Sequence, residues 1–405
     1  MLFKRFFEED EWRLLWPFYV HRFLGGVATV SLPFIVIYYQ SRGYSFAQIS
    51  ILWVAMAVAN ILFEVPTGIV ADVFGRRISV VLGYLLESVP WLLIPFTRSY
   101  AELMVVCIVI AIGQTLVSGA FEAWVYDELK QRKREGLIGE FYAKHRFFGS
   151  IGLIIGPLMG AWIVSRFPLG WVFFAEGGAS VVLAVFLLAV TRERFARRAF
   201  SVASQWRLMV DNTREGFAFI SRHAQFKLLL VAGVAFAGFL SIEELVQQPL
   251  LVGFGMSVTS LGVFFSVVGV VTAVAPLVGN WVSRRIAERT LFVVMTLVVG
   301  LAAAVVWLVP EGAVVAASGV LVVLSFAVFC KNPVFRAHLQ HLVPSPQRAT
   351  ILSAFSMGQN VMAGVVLVGG GFLTDVIGPR LAILLAAVLL IPALVAFWFV
   401  RDVKE

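Results

Sequence analysis

The sequence predicts an all-α membrane protein of twelve transmembrane helices, and three observations carry that prediction. First, 60% of the residues are hydrophobic, 14% are charged and mean hydropathy is +0.91. A soluble domain carries about a quarter charged residues, so a chain this apolar cannot cover a water-facing surface and lipid must be its solvent. Second, a spanning helix needs roughly 20 apolar residues, so 405 residues hold about a dozen spans and little else. Third, the basic residues alternate in the way that spanning helices with both ends on one side require.

The chain opens MLFKRFFEEDEWRLLW. This stretch is charged and amphipathic and lacks an apolar core before a small-residue cleavage site, so it is expected to be a cytoplasmic leader at the interface. Apolar runs then predict helices at 14–40, 46–71, 78–97, 101–129, 142–165 and 170–191. A second set follows at 226–252, 258–282, 289–309, 312–340, 348–374 and 380–401. Helices 9 and 10 are separated only by Pro310, Glu311 and Gly312, and helix 10 ends on the polar group Lys331, Asn332, Arg336 and His338.

With both termini in the cytoplasm, only Arg42, Arg98, Arg166 and Arg380 of the 32 basic residues fall outside, and Arg22 lies within helix 1. The net charge of +8 is therefore an orientation signal and not a nucleic-acid footprint. Lys4, Arg5, Arg194, Arg197, Arg198 and Lys404 contribute to that count. The longest polar stretch, 192–225, divides 1–191 from 226–405. Phe195, Phe200, Trp206, Leu208, Met209, Phe217 and Phe219 recur among its charges, which predicts short amphipathic helices on the cytoplasmic face. The halves also echo each other: Pro66 with Pro276, and Arg76-Arg77 with Arg284-Arg285, at an offset of about 210 residues, a construction common in secondary transporters.

The sharpest motif lies between helices 2 and 3, Gly68-Ile-Val-Ala-Asp72-Val-Phe-Gly75-Arg76-Arg77. Gly68 is expected to allow close helix approach, Asp72 to cap the next helix or pair with a base, and Gly75 to permit a reversal. The stretch resembles the G-x-x-x-D-x-x-G-R-R loop of the major facilitator superfamily. In helix 5, Gly152-Leu-Ile-Ile-Gly156-Pro157-Leu-Met-Gly160 resembles the G-x-x-x-G-P-x-x-G-G motif of that superfamily's drug and proton antiporters, with Ala161 where the last glycine would stand. Overlapping G-x-x-x-G spacings put small residues on one face, and Pro157 favours a bend. Phe63-Glu64-Val-Pro66-Thr67-Gly68 in helix 2 and Ser118-Gly-Ala-Phe-Glu122-Ala-Trp-Val-Tyr126-Asp127 in helix 4 resemble a subgroup of bacterial exporters. Many superfamily antiporters place an Arg in helix 4 ahead of a Gln-Gly pair. Here the stretch reads Thr115-Leu-Val-Ser118-Gly119, so a coupling scheme relying on that Arg does not carry over.

The resemblance implies the major facilitator fold, two six-helix bundles around a central cavity, in the inner membrane. It implies a secondary active transporter working by alternating access, and proton-coupled export of small amphipathic or drug-like molecules. The alternatives are a proton-coupled nutrient importer and a lipid flippase or sensor of the same fold. Ionisable residues within spans are costly and mark function, so Glu122 and then Glu64 are the expected proton carriers, with Arg22 as a partner for either. Asp127 is expected to tie helix 4 to the loop of Asp72 to Arg77. Glu243, Glu244, Gln247 and Gln248 form a polar patch in helix 7 suited to an outer gate or a substrate path, and Gln359 and Asn360 in helix 11 suit substrate hydrogen bonding. His21 beside Arg22 is a second proton-relay candidate, and Glu87 and Glu176 are isolated acids of open role.

Other chemistry is not expected. No G-x-x-x-x-G-K-[ST] is present, no Cys/His cluster has metal-ligand spacing, and Gly369-Gly370-Gly371 lies inside helix 11. Cys107 and Cys330 sit in apolar runs as small buried residues. The expected partners are a small-molecule substrate, protons and lipid, for a monomer that needs no cofactor and is not an enzyme.

Overall fold

The computed structural model describes residues 6–8, 10–193, 202–343 and 347–402. Lys4, Arg5, Arg194, Phe195, Arg197, Arg198, Phe200 and Lys404 lie outside the described residues, as do the side chains of Trp206, Arg207, Leu208 and Met209. All regular structure among the described residues is helical. The first half carries α1 (Glu11–Val27), α2 (Ile35–Ser41), α3 (Phe46–Phe74), α4 (Arg76–Leu93), α5 (Tyr100–Gln131), α6 (Ile138–Val164) and α7 (Trp171–Val190). After α8 (Val202–Arg222) come α9 (Ala224–Gly253), α10 (Val258–Ser283), α11 (Glu288–Leu308), α12 (Val314–His341), α13 (Arg348–Ala386) and α14 (Leu390–Phe399). By length and composition, ten helical stretches of the described residues can cross a membrane.

Two elements differ from the sequence reading, and one long apolar run breaks where it was expected to. The expected helix over 14–40 is broken into α1 and α2 by residues 28–34. Pro33 supplies no backbone donor and disfavours helical geometry at Leu32, and the β-branched Thr29 and Val30 precede it. The stretch Thr350–Phe399 is one apolar run of 50 residues, about 75 Å of helix at 1.5 Å per residue against a hydrocarbon core of roughly 30 Å. Gly378, at φ 78° and ψ 163°, breaks it where the sequence places a helix boundary. The mid-chain stretch forms one long helix, α8, where short helices were expected, and Gly216 sets it against Thr350 and Ala354 of α13.

The chain divides into two compact units, one of Met1–Phe34 with Ala55–Val202, the other of Ile35–Val54 with Ala203–Glu405. Residues 35–54 thus pack with the C-terminal half although they precede it by far in the chain. Gln248 accepts hydrogen bonds from the backbone N–H of Val36 at 3.0 Å and Ile37 at 3.4 Å, and Asp375 accepts from Phe46 at 2.8 Å and Ala47 at 2.9 Å. Both side chains satisfy orphan donors at a helix start, and Asp375 also sets a negative charge on the positive end of the dipole.

The same pairing recurs in both units. In the first, α1 packs on α6, and α4 on α5 and α7; in the second, α9 packs on α13, and α11 on α12 and α14. Glu193, just past α7, accepts from the backbone N–H of Arg76 at 3.0 Å and Arg77 at 2.9 Å. Asp402, just past α14, accepts from Arg289 at 3.0 Å at the start of α11. The two caps are offset by about 210 residues, as are the sequence echoes, and describe one internal repeat.

The core of the first unit gathers Leu15, Phe18, Tyr19, Phe121, Trp124 and Phe141, all nearly or fully buried. Beside it the fully buried carboxylate of Glu11, at the start of α1, receives the Lys144 ammonium at 2.6 Å and the Tyr19 hydroxyl at 2.6 Å. Glu11 to Trp16 of the opening segment thereby belong to α1.

Candidate functional site

The glycines of helix 5 bring α6 against α1 at backbone contact. A Cβ on Gly152 would meet the Phe23 carbonyl and Gly26 Cα; one on Gly156 would meet the Gly26 and Val27 carbonyls; one on Gly160 would meet Val30 and Phe34. Small residues on one face do here what the G-x-x-x-G spacing predicts, and buried Pro157 sits among them. The contact runs along the unwound residues 28–34, so a broken helix is held by its neighbour.

The break frees the N–H of Ser31, which donates to the Glu176 carboxylate of α7 at 2.9 Å. Around that bond lies a cavity of about 160 Å³, lined by His21, Arg22, Tyr84, Glu87, Gln114 and Glu176 among others. Ser180 donates to Glu87 at 3.1 Å, and His21 Nε2 lies 2.7 Å from the Tyr84 hydroxyl. Glu87 and His21 are buried, and His21 Nδ1 has no hydrogen-bond partner among the described residues. Close approach of α4 and α5 at Gly83 and Gly113, and of α4 and α7 at Gly177, draws these side chains together. Sequence reading left Glu87 and Glu176 isolated. Their one available signal was a carboxyl group within an apolar run, which does not say that two helices 89 residues apart face each other.

Glu122 and Glu64 stand elsewhere. Both are exposed, and neither forms an ion pair among the described residues; Glu122 lies beside Tyr142. Arg22 is also exposed and extends over Gly149 of α6. The expected Arg22–Glu122 or Arg22–Glu64 pair is not formed, because Arg22 turns into the cavity shared with Glu87 and Glu176.

The loop of the first motif is anchored on two sides. Arg76 pairs with Asp127 at 2.8 Å and also donates to the Ala123 carbonyl, tying the loop to α5 as the sequence suggested. Arg77 donates to Thr191 Oγ1 at 3.1 Å and to the Leu188 carbonyl at 2.6 Å, tying it to α7. The cap on α4 is Glu193 and not Asp72, which makes no ion pair among the described residues. The reason is the turn at Gly75, φ 104°, which points the first amides of α4 at the end of α7. Gly68, expected at a close helix contact, has nothing within 4 Å of where a Cβ would be. Gly75→Ala is expected to cost about 1–3 kcal/mol, the usual strain of a non-glycine residue in that region, whereas Gly68→Ala should not destabilise. Thermal unfolding of both variants in detergent checks this, and equal melting temperatures would contradict it.

In the second unit a larger cavity of about 350 Å³ is lined by residues of α9, α12 and α13. Gln359 and Asn360 line it, as do Lys331 and Arg336. Gln359 reaches it across Gly233, whose missing side chain leaves room for the amide. Glu243 and Gln247 do not line it; they are buried and bonded to each other at 2.6 Å, while Glu244 is exposed. His338, fully buried, pairs with Glu288 at 2.5 Å.

Comparison with known proteins agrees with this architecture. The pattern of the Major Facilitator Superfamily matches residues 20–367. The uncharacterized MFS-type transporter YxaM of Bacillus subtilis (strain 168) is 25% identical over 62% of this chain and 62% of its own length. The chain thus aligns with less than two thirds of that relative. YfiS of the same organism, also an uncharacterized MFS-type transporter, is 23% identical over 85% of this chain and 82% of its own. Among solved structures, the nucleoside transporter NupG has a TM-score of 0.77 at 15% identity, covering 95% of this chain and 98% of that one. A bacterial homolog to the human lysosomal transporter Spinster, inward-facing and unoccupied, has a TM-score of 0.77 at 15% identity, covering 96% of each chain. At those identities the likeness is one of fold. With its helical multi-pass architecture, its repeated units and the superfamily match over most of its length, this chain belongs to the Major Facilitator Superfamily, a family of membrane transporters.

Proposed function

We propose that the protein is a proton-coupled secondary transporter that works by alternating access and exports small amphipathic molecules. In this reading the broken first helix counts as one span and Thr350–Phe399 as two, giving twelve. The protein sits as a monomer in the inner membrane with both termini in the cytoplasm, driven by the proton gradient without a cofactor.

The observation that carries the coupling is the cluster of Glu87, Glu176, His21 and Arg22 around one cavity among apolar helices, with Glu87 and His21 buried. Ionisable side chains within spans are expensive and mark proton or substrate pathways. Broken helices beside them are a recurring way to build ion sites at the membrane midplane. A carboxylate there exchanges one proton as water reaches it from alternating sides, and Arg22 offsets the negative charge when the proton leaves. Glu122 and Glu64 are the alternative carriers. The loop of Gly68, Asp72, Gly75, Arg76 and Arg77 acts as the conformational switch, with Asp127 as its latch on α5. Gly152, Gly156, Pro157 and Gly160 let α6 move against α1 as one body. The likeness of helix 5 to antiporter motifs favours export; Gln359 and Asn360 belong to the substrate path, and Glu243, Glu244 and Gln247 to an outer gate farther along α9.

Purified protein in proteoliposomes tests this with ethidium and 3-phenylpropionate as probes under an imposed pH gradient. Flux of at least one probe should follow the gradient. Glu87→Gln and Glu176→Gln should each lower that dependence by tenfold or more, while Glu122→Gln stays near the parent. Flux indifferent to the gradient would defeat proton coupling. Loss in Glu122→Gln or Glu64→Gln, with Glu87→Gln intact, would move the proton to those residues.

A further inference from the structure

We propose that the cavity of the second unit binds the anionic group of a small amphipathic organic acid, with Lys331 as its charge partner. The inference rests on the transport reading above and names the substrate class for that path.

Lys331 is 3% exposed and lines the cavity. Among the described residues it makes no hydrogen bond and no ion pair. Its ammonium instead lies 3.1 Å from the centroid of the Phe236 ring, with Phe335 at 5.3 Å and Phe397 at 5.4 Å. Rings of this kind attract a desolvated cation by roughly 2 kcal/mol, whereas withdrawing an ammonium from water costs several kcal/mol even after relaxation. The cage therefore orients the charge without compensating it. Arg336, a little over one turn farther along α12, also lines the cavity and has no ion pair among the described residues. No carboxylate of the described residues lines the cavity, so its fixed charge is positive.

The rest of the lining suits the body of such a ligand. Gln359 and Asn360 offer amides to remaining oxygens, and Phe335 and Phe355 offer apolar faces. A volume of about 350 Å³ falls at the small end of ligand pockets, roughly 300–1,000 Å³. The occupant is thus a compact molecule with one acidic group on a short aromatic or aliphatic frame. A lipid phosphate could offer the same charge, so the test separates the two.

The full chain in neutral detergent is titrated calorimetrically with three molecules of like shape: 3-phenylpropionate, 3-phenylpropan-1-ol and 3-phenylpropylamine. The acid should bind at least tenfold tighter than either of the others. Lys331→Gln and Lys331→Met should abolish that preference, and Lys331→Arg should keep most of it. Because removing an unpaired buried charge is neutral or stabilising, ligand-free Lys331→Met should melt no lower than the parent. A merely structural lysine would lower it. No binding of the acid at about 10 mM, equal binding of the alcohol or amine, or unchanged affinity in Lys331→Gln would each overturn the proposal. So would loss of acid binding in nanodiscs of phosphatidylglycerol but not phosphatidylcholine, which would assign the ammonium to a lipid headgroup. Binding needs no gradient. Acid binding with gradient-independent flux would defeat the coupling alone; gradient-dependent flux without acid binding would defeat this inference alone.

Discussion

Lys144→Met is expected to destabilise the folded protein by about 3–5 kcal/mol, the usual consequence of removing one partner from a buried ion pair. Glu11 has no exposed surface, and its carboxylate takes the Lys144 ammonium at 2.6 Å, the Tyr19 hydroxyl at 2.6 Å and the Glu8 backbone N–H at 2.8 Å. Without the ammonium, a buried negative charge remains with two neutral donors. The lysine's second partner, Glu140, lies 2.9 Å away but is half exposed. Glu140→Gln should therefore cost no more than about 1 kcal/mol, as exposed pairs do. Combining Glu11→Gln with Lys144→Met removes both charges and should recover part of the loss, since contacting residues are not additive. Denaturant titration followed by tryptophan fluorescence measures all three. Equal destabilisation by Lys144→Met and Glu140→Gln would show that Glu11 does not depend on its ammonium.

A single methyl group on Gly152 is expected to produce the second largest effect. The added Cβ would fall within contact of the Phe23 carbonyl and within 2.8 Å of Gly26 Cα, both backbone atoms of α1 that no side-chain rotation can move. Relief requires α1 and α6 to separate along their whole contact, and overpacking of this kind costs about 1–3 kcal/mol or more. The displacement carries His21 and Arg22 with it, so gradient-driven flux should fall along with the melting temperature. Gly25→Ala provides the opposite sign. It is one residue from Gly26, nothing lies within 4 Å of its Cβ position, and replacing glycine by alanine in a helix is favourable by roughly 0.5–1 kcal/mol. If Gly152→Ala and Gly25→Ala shifted the melting temperature in the same direction, contact between the two backbones would not govern this site.

The apolar helices and the two-fold repeat were legible in the residues because each is a property of a stretch of chain. Apolar runs long enough to cross lipid, basic clusters between them and echoed prolines and arginines need no knowledge of neighbours. The link from Asp127 to the loop was legible too, since both lie near helix ends on one side, and the glycine spacing of helix 5 announced a close contact without naming α1 as its partner. Tertiary structure alone decided which charged groups meet. Glu87 and Glu176 come together with His21 and Arg22 because glycines draw α4, α5 and α7 to backbone contact and because α1 unwinds before Pro33, freeing an N–H for Glu176. Glu193, rather than nearby Asp72, caps α4 because Gly75 turns the amides toward α7. Hydropathy is local and additive along the chain; the pairing of a buried charge is set by the partner that packing brings within a few ångströms, and that partner is encoded on another helix.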